Sequence, residues 1–486
     1  MHSQKDEQKG MSKAKLFIEN FLVYGLGGVI GRLIPLLMLP LITRLMPGTE
    51  YFGLNDLSNT VINFGSAVAV IGMYDAMYRM FFEKNDEAFK KEICSTTLAF
   101  TVVMSVLVCG LMLAGKDLIA AWLFGDLQYS YLVYIAAAAT LVSATNFIVA
   151  APTRMQNKRS IFLVTNTVAS ILSYSIAIPL ILKKHYVIAI PLASLIAGAA
   201  TEAAFWIMNR KWFSLHAFRR KHLRPLLMIA VPLFPNFLFY WLFNSSDRVM
   251  ITNLLNVGEA GIYSVGSKLG QASQLIYTAF VGGWQFFAFS TMKEKDQVGT
   301  NSRVFEYLGI ISFAATAFIC AISYDFFRIL FAPQYLAGYV IAPYLFLAPL
   351  LQMLFQVAAN QFLVVKKTWP NLLILSVGAV VNVLLNLILI PLIGIEGASI
   401  ATLFGYIVSD IVCVIVLVRM KLMVVSSRFI VAACMLAGFF VMWRMLIPDR
   451  ILPALLAAIL LCVLFCLLYR KDISTLLRQL SRRRQS

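Results

Sequence analysis

Charge is scarce in this chain of 486 residues: Asp, Glu, Lys and Arg make up 13% of it, about half their share in soluble domains. No polar stretch is long enough to form a hydrophilic domain of its own. The four histidines (His2, His185, His216, His222) lie in the tail and loops without metal-ligand spacing, and no Gly-rich loop leads into Lys-Ser or Lys-Thr. A metal-dependent enzyme and a nucleotide-driven pump are thereby disfavoured, and no catalytic residue, metal or cofactor is expected. The seven cysteines sit singly within or at the ends of apolar segments, as small apolar side chains rather than a disulfide framework. No cleavable leader is expected, because residues 1–15 are polar, and the first apolar span is expected to be its own insertion signal.

What is present is hydrophobic length. Apolar residues make up 60% of the chain, mean hydropathy is +0.80, and runs of about 20 residues, enough to cross a bilayer as a helix, recur throughout. Their pattern predicts an all-α integral membrane protein with about fourteen transmembrane helices. The expected spans are 16–42, 52–82, 92–114, 129–151, 160–182, 186–208, 225–248, 259–283, 304–325, 335–363, 371–393, 397–419, 428–447 and 451–469. The net charge of +18 could suggest nucleic acid, but its placement points to a membrane. With the N-terminus inside, 30 of the 41 Lys and Arg fall in cytoplasmic segments and seven outside. The positive-inside rule then puts both termini in the cytoplasm, and no nucleic-acid partner is expected.

The chain also looks duplicated. Ile42-Thr43-Arg44-Leu45 stands to Glu50 as Ile251-Thr252-Asn253-Leu254 stands to Glu259, an offset of 209 residues. A second echo, Lys158-Arg159 and Ile178-Pro179-Leu180 against Lys366-Lys367 and Ile390-Pro391-Leu392, has an offset of 208–212. The expected organisation is a cytoplasmic tail (1–15), an N-lobe of spans 1–6 (16–208), a basic inter-lobe loop (209–224), a C-lobe of spans 7–12 (225–419), two accessory spans (420–469) and a basic tail (470–486). The loop and tail suit contact with anionic lipid.

Polar side chains in the spans are not scattered. Ser264, Ser267, Lys268, Gln271 and Gln274 follow one another at helical steps, as do Asn55, Asn59 and Asn63 beside Asp56, and Gln352, Gln356 and Asn360. Asn236, Tyr240, Asn244 and Asp247-Arg248 repeat the pattern in span 7. Such stripes are costly against lipid and call for a shared wet cavity between the repeats. With Arg32 and Lys268 in its walls the cavity would be cationic and its substrate anionic; each could instead pair with Asp56, Asp75 or Asp410, or snorkel. Asp75 and Arg79, at i and i+4, are expected to neutralise each other.

The stretches 39–57 (LPLITRLMPGTEYFGLNDL), 232–251 (PLFPNFLFYWLFNSSDRVMI) and 258–271 (GEAGIYSVGSKLGQ) resemble the span 1–2 and span 7–8 signatures of Wzx-like polysaccharide and O-antigen flippases of the MOP superfamily. One departure is the extra residue in Glu50-Tyr51-Phe52-Gly53, where such proteins more often run Glu-Tyr-Gly. The resemblance implies two six-helix lobes plus two accessory helices, and a bacterial cytoplasmic (inner) membrane location. It implies secondary, alternating-access transport of undecaprenyl-diphosphate-linked oligosaccharide to the outer leaflet, with no enzyme activity. Arg32 and Lys268 would meet the diphosphate; Asp56 and Asp410 are the candidates for H+ or Na+ coupling; other glycan-assembly proteins are candidate partners. The alternatives are a peptidoglycan-precursor flippase or multidrug exporter of the same superfamily, or a membrane glycan polymerase or ligase.

Overall fold

A computed structural model describes residues 27–475, apart from 157, 271, 291–295 and 366–368. Among these residues the chain is helical, with no strand. Ten helices are long and apolar enough to cross a membrane, or up to twelve if each of two bent pairs counts as one span. The other two expected spans, 16–42 and 259–283, run through undescribed residues. The N-terminal tail, and the end of the basic tail beyond 475, also lie outside the description.

Two compact units are formed, Met1–Ser264 with Leu387–Ile395, and Val265–Asn386 with Glu396–Ser486. The first contains α1 (Gly27–Leu45), α2 (Glu50–Val70), α3 (Met73–Phe81), α4 (Glu87–Ala114), α5 (Lys116–Leu123), α6 (Ser130–Met155), α7 (Arg159–Leu182), α8 (Tyr186–Asn209), α9 (Arg220–Ala230), α10 (Phe234–Leu254) and the first part of α11 (Val257–Gly270). The expected single span over 52–82 is broken: α2 and α3 meet at 47°. Ile71 (φ 45°) and Gly72 (φ 74°) both adopt left-handed backbone there, which ends a helix and is a strained setting for a β-branched residue. A Cβ on Gly72 would stand 2.6 Å from the carbonyl oxygen of Ala230, so the glycine lets the end of α9 seat in the break. Met73, Ala76, Met77, Met80 and Phe81 then share a core with Leu226, Ala230, Trp212 and Phe213. The basic loop is thus tied down at its aromatic pair. Ser95 Oγ accepts from the Ser214 amide (3.0 Å), and His222 Nε2 lies 2.8 Å from Glu92.

The second unit holds the rest of α11, α12 (Ser273–Ser290), α13 (Gln297–Leu330), α14 (Ala342–Val364), most of α15 (Trp369–Ile393) and α16 (Ile395–Arg419), with α17 (Ser427–Leu446) and α18 (Ile451–Leu468). Its centre is α14, which is mostly buried, polar Gln352 and Asn360 included. The accessory pair α17 and α18 is pinned by two carboxylates. Glu306 of α13 accepts from the Ser426 amide (2.7 Å), Ser426 Oγ (2.8 Å) and Tyr469 Oη (3.0 Å). At the far end of α17, Arg444 donates to both oxygens of Glu396 (2.8–3.0 Å), which also accepts from Tyr344 Oη at 3.1 Å.

Candidate functional site

The functional geometry centres on two turns that the repeat relates, between α1 and α2 and between α10 and α11. Both turns end in helix starts carrying glutamate, Glu50 and Glu259, which suits the positive end of a helix dipole. Asn256 Oδ1 accepts from the Glu259 amide at 2.9 Å and caps α11. The turns lie against each other through equivalent glycines. A Cβ on Gly53 would be 2.2 Å from the Val257 carbonyl oxygen and 3.1 Å from the Gly261 nitrogen. A Cβ on Gly261 would be 1.8 Å from the Thr49 carbonyl oxygen and 3.1 Å from the Gly53 nitrogen. Thr49 and Val257, like Gly53 and Gly261, are 208 residues apart, so the contact has the quasi-twofold symmetry of the duplication.

Just beneath this seam lies a buried charge cluster. Arg248 Nε of α10 donates to Asp56 of α2, and its Nη1 donates to Asp247 at 3.1 Å. Tyr263 Oη of α11 donates to Asp247, and the guanidinium sits 5.7 Å from the Tyr263 ring centroid. Asp56, Asp247, Arg248 and Tyr263 are all 7% exposed or less. At that burial an unpaired guanidinium would be very costly, so the two carboxylates are the condition for its presence. The sequence singled out Asp56 and the Asp247-Arg248 pair but not Tyr263, whose signal was its place four residues before Ser267 on the polar side of α11.

Other expected site residues fare differently. Lys268 is half-buried on α11, and helical geometry puts it opposite Gly266 and Gly270, which pack closely on Gly338 and Ile341 before α14 and on Leu345 within it. A Cβ on Gly270 would lie 2.6 Å from that of Leu345. α11 ends at Gly270 and α12 begins at Ser273. Ser273 Oγ donates back to the Gly270 carbonyl at 2.9 Å. Ser264 is buried and Gln274 half-buried, while Gln271 lies outside the described residues. On α2, Asn55 is half-buried, but Asn59 and Asn63 are exposed. Gln352, Gln356 and Asn360 share α14; Asn360 is 2% exposed with no hydrogen-bond partner for either amide atom among the described residues. Asp410 on α16 is likewise buried with neither oxygen hydrogen-bonded. The side chains of Arg32, Asn236, Tyr240 and Asn244 fall outside the description. The expected mutual neutralisation of Asp75 and Arg79 is not observed: both are exposed and form no ion pair among the described residues. Exposed i, i+4 pairs gain little by closing.

Comparison with known proteins agrees with this architecture. The structure is similar to that of the lipid II flippase MurJ in an inward closed conformation, with a TM-score of 0.70 at 15% identity over 93% of this chain and 100% of the other. It is also similar to an inward-facing multidrug resistance MATE family transporter of the MOP superfamily (TM-score 0.63, 15% identity, 83% and 94% coverage). A third similar structure is that of MATE in the straight conformation (TM-score 0.58, 15% identity, 84% and 95% coverage). At such identities the likeness establishes a MurJ- and MATE-like fold. No curated protein sequence matches the chain. Residues 41–339, which contain both turns, the charge cluster and Lys268, match the family described as polysaccharide biosynthesis protein. The chain therefore belongs to the polysaccharide biosynthesis protein family.

Proposed function

We propose that this protein is a secondary transporter that flips polyprenyl-diphosphate-linked oligosaccharide from the cytoplasmic to the outer leaflet of a bacterial cytoplasmic membrane. The observation that carries the reading is the family match over 41–339, on a chain rich in apolar spans and without a hydrophilic catalytic domain. Lys268 and Arg32 would receive the diphosphate, Lys as a point charge and Arg as a fork. A membrane-embedded cation costs about 2.5–3.5 kcal/mol on the insertion scale, and the substrate's phosphates would offset that cost during the cycle. The seam at Gly53 and Gly261 would close the outward side, with the Asp56–Arg248 pair behind it. Asp410 is our choice for coupling, because a carboxylate without hydrogen bonds needs a proton or cation to sit at its depth. Asp56 could couple only when its pair with Arg248 separates.

Deletion of the gene tests the function and Lys268 together. Lipid-linked units should be trapped on the cytoplasmic leaflet, restored to export by wild type, not restored by Lys268→Ala or Lys268→Glu, and partly restored by Lys268→Arg. Unpolymerised units on the outer leaflet of the deletion strain would sink the flippase in favour of a polymerase or ligase. Full export by well-expressed Lys268→Ala would remove Lys268 from the cavity role.

A further inference from the structure

A cavity of about 400 Å³ opens in the seam between α3 and α9, lined by Arg79, Met80, Phe82, Glu83, Pro225 and Ile229. Both helices are short, and both bury one side in a shared core. Their other sides are unusual for a surface meeting only water: Tyr78, Phe82, Met228 and Val231 are exposed beside exposed Arg79, Lys84, Arg220 and Arg224. Apolar and aromatic side chains interleaved with Lys and Arg are what a helix carries at headgroup depth. The location agrees, because this end of the unit carries Lys84, Lys90, Lys91 and residues 219–224, the side that the positive-inside rule assigns to the cytoplasm.

Within the cavity, Arg79 is the cation, and among the described residues it has no ion pair with Asp75, one turn before it, or with Glu83, one turn after. A guanidinium against Phe82, Pro225 and Ile229 is suited to a phosphate oxygen pair whose hydrocarbon continues along the apolar wall. The exposed Glu83 at the rim keeps the site from being strongly cationic, which favours a single phosphodiester over a free multivalent anion. We propose that the α3–α9 seam binds the headgroup of an anionic phospholipid of the cytoplasmic leaflet, with Arg79 on the phosphodiester and Phe82, Met228 and Ile229 against the upper acyl chain. This lipid is distinct from any transported substrate. It would sit beside the Ile71–Gly72 break, where α9 already wedges against the backbone.

The test is native mass spectrometry of the purified full-length protein titrated with phosphatidylglycerol or phosphatidylcholine. Phosphatidylglycerol should bind more tightly, and Arg79→Gln should weaken it about fivefold, the effect of one cation at a lipid surface. Arg79→Lys, which keeps the charge but loses the fork, should fall between wild type and Arg79→Gln, Ile229→Trp should weaken binding by filling the cavity with every charge kept, and Lys183→Gln, in an exposed loop away from the seam, should change nothing. Equal binding of the two lipids, or unchanged phosphatidylglycerol binding by Ile229→Trp, overturns the proposal. The Ile229→Trp arm decides the question if Arg79→Gln proves unstable. Because the readout is lipid binding rather than transport, it stands whatever becomes of the flippase assignment.

Discussion

Arg248 shows how one side chain can define a site. It is 6% exposed, and its guanidinium is held by Asp56 and Asp247, with Tyr263 bonded to the second of these. Removing a buried partner leaves uncompensated charge, at a cost of about 3–5 kcal/mol. Arg248→Gln would strand two carboxylates, whereas Asp56→Asn would leave Arg248 with Asp247 and a neutral amide. We therefore expect Arg248→Gln to lower the unfolding midpoint of the detergent-solubilised protein markedly and Asp56→Asn to lower it less. The opposite order would mean that the guanidinium is not the linchpin of this cluster. The pairing itself could not be read in advance, since 192 residues separate Asp56 and Arg248 and no local spacing joins them.

At the scale of elements, the repeat-related turns form the contact most sensitive to added volume. Backbone meets backbone at Gly53 and Gly261, where a Cβ would come within 2.2 and 1.8 Å of a carbonyl oxygen. No rotamer change can relieve such a clash. Gly261→Ala should hold the turns apart, while a disulfide between cysteines at Gly48 and Val257 should hold them together. If the turns must part and rejoin during each cycle, both changes stop glycan export in a complementation assay, and reduction rescues the disulfide alone. Normal export by the cross-linked protein would show that these turns do not move in transport. The duplication that exposed this seam was visible as the Glu50 and Glu259 echo. The break at Ile71–Gly72 was not, because periodicity runs through it without change and only the docking of α9 against Gly72 makes left-handed backbone worthwhile.

For the whole molecule the sharpest expectation is topological. Lys and Arg segregate so strongly that the loops near Lys90, Arg219 and Lys366 should all face the cytoplasm. Single cysteines at these positions should resist a membrane-impermeant thiol reagent in intact cells and react after permeabilisation, in a background lacking the seven native cysteines. Labelling of any one from outside would break the fourteen-span arrangement. The accessory helices belong to this scale as well. That they should face lipid is the expectation from Val431–Leu446 and Ile451–Leu468, which are almost without polar side chains. Their attachment through Glu306 and Glu396 was not legible, because a carboxylate's partner more than a hundred residues away, as Ser426 is from Glu306, leaves no local pattern.

By itself the sequence determined the membrane class, the helical secondary structure and the internal duplication, carried the resemblance to glycan flippases, and set the expectation for the sidedness of charge. The first three follow from composition, period or internal echo, properties carried by neighbouring residues or by repeated ones, and the resemblance rests on the stretches 39–57, 232–251 and 258–271. Tertiary structure decided which polar groups meet: Asp56 with Arg248, Asp247 with Tyr263, Glu306 with Ser426 and Tyr469, and Gly53 with Gly261. It also decided which do not, separating Asp75 from Arg79. The physical reason is that a buried polar group gains from a partner that offsets its desolvation. The identity of that partner is fixed by helix packing rather than by sequence distance.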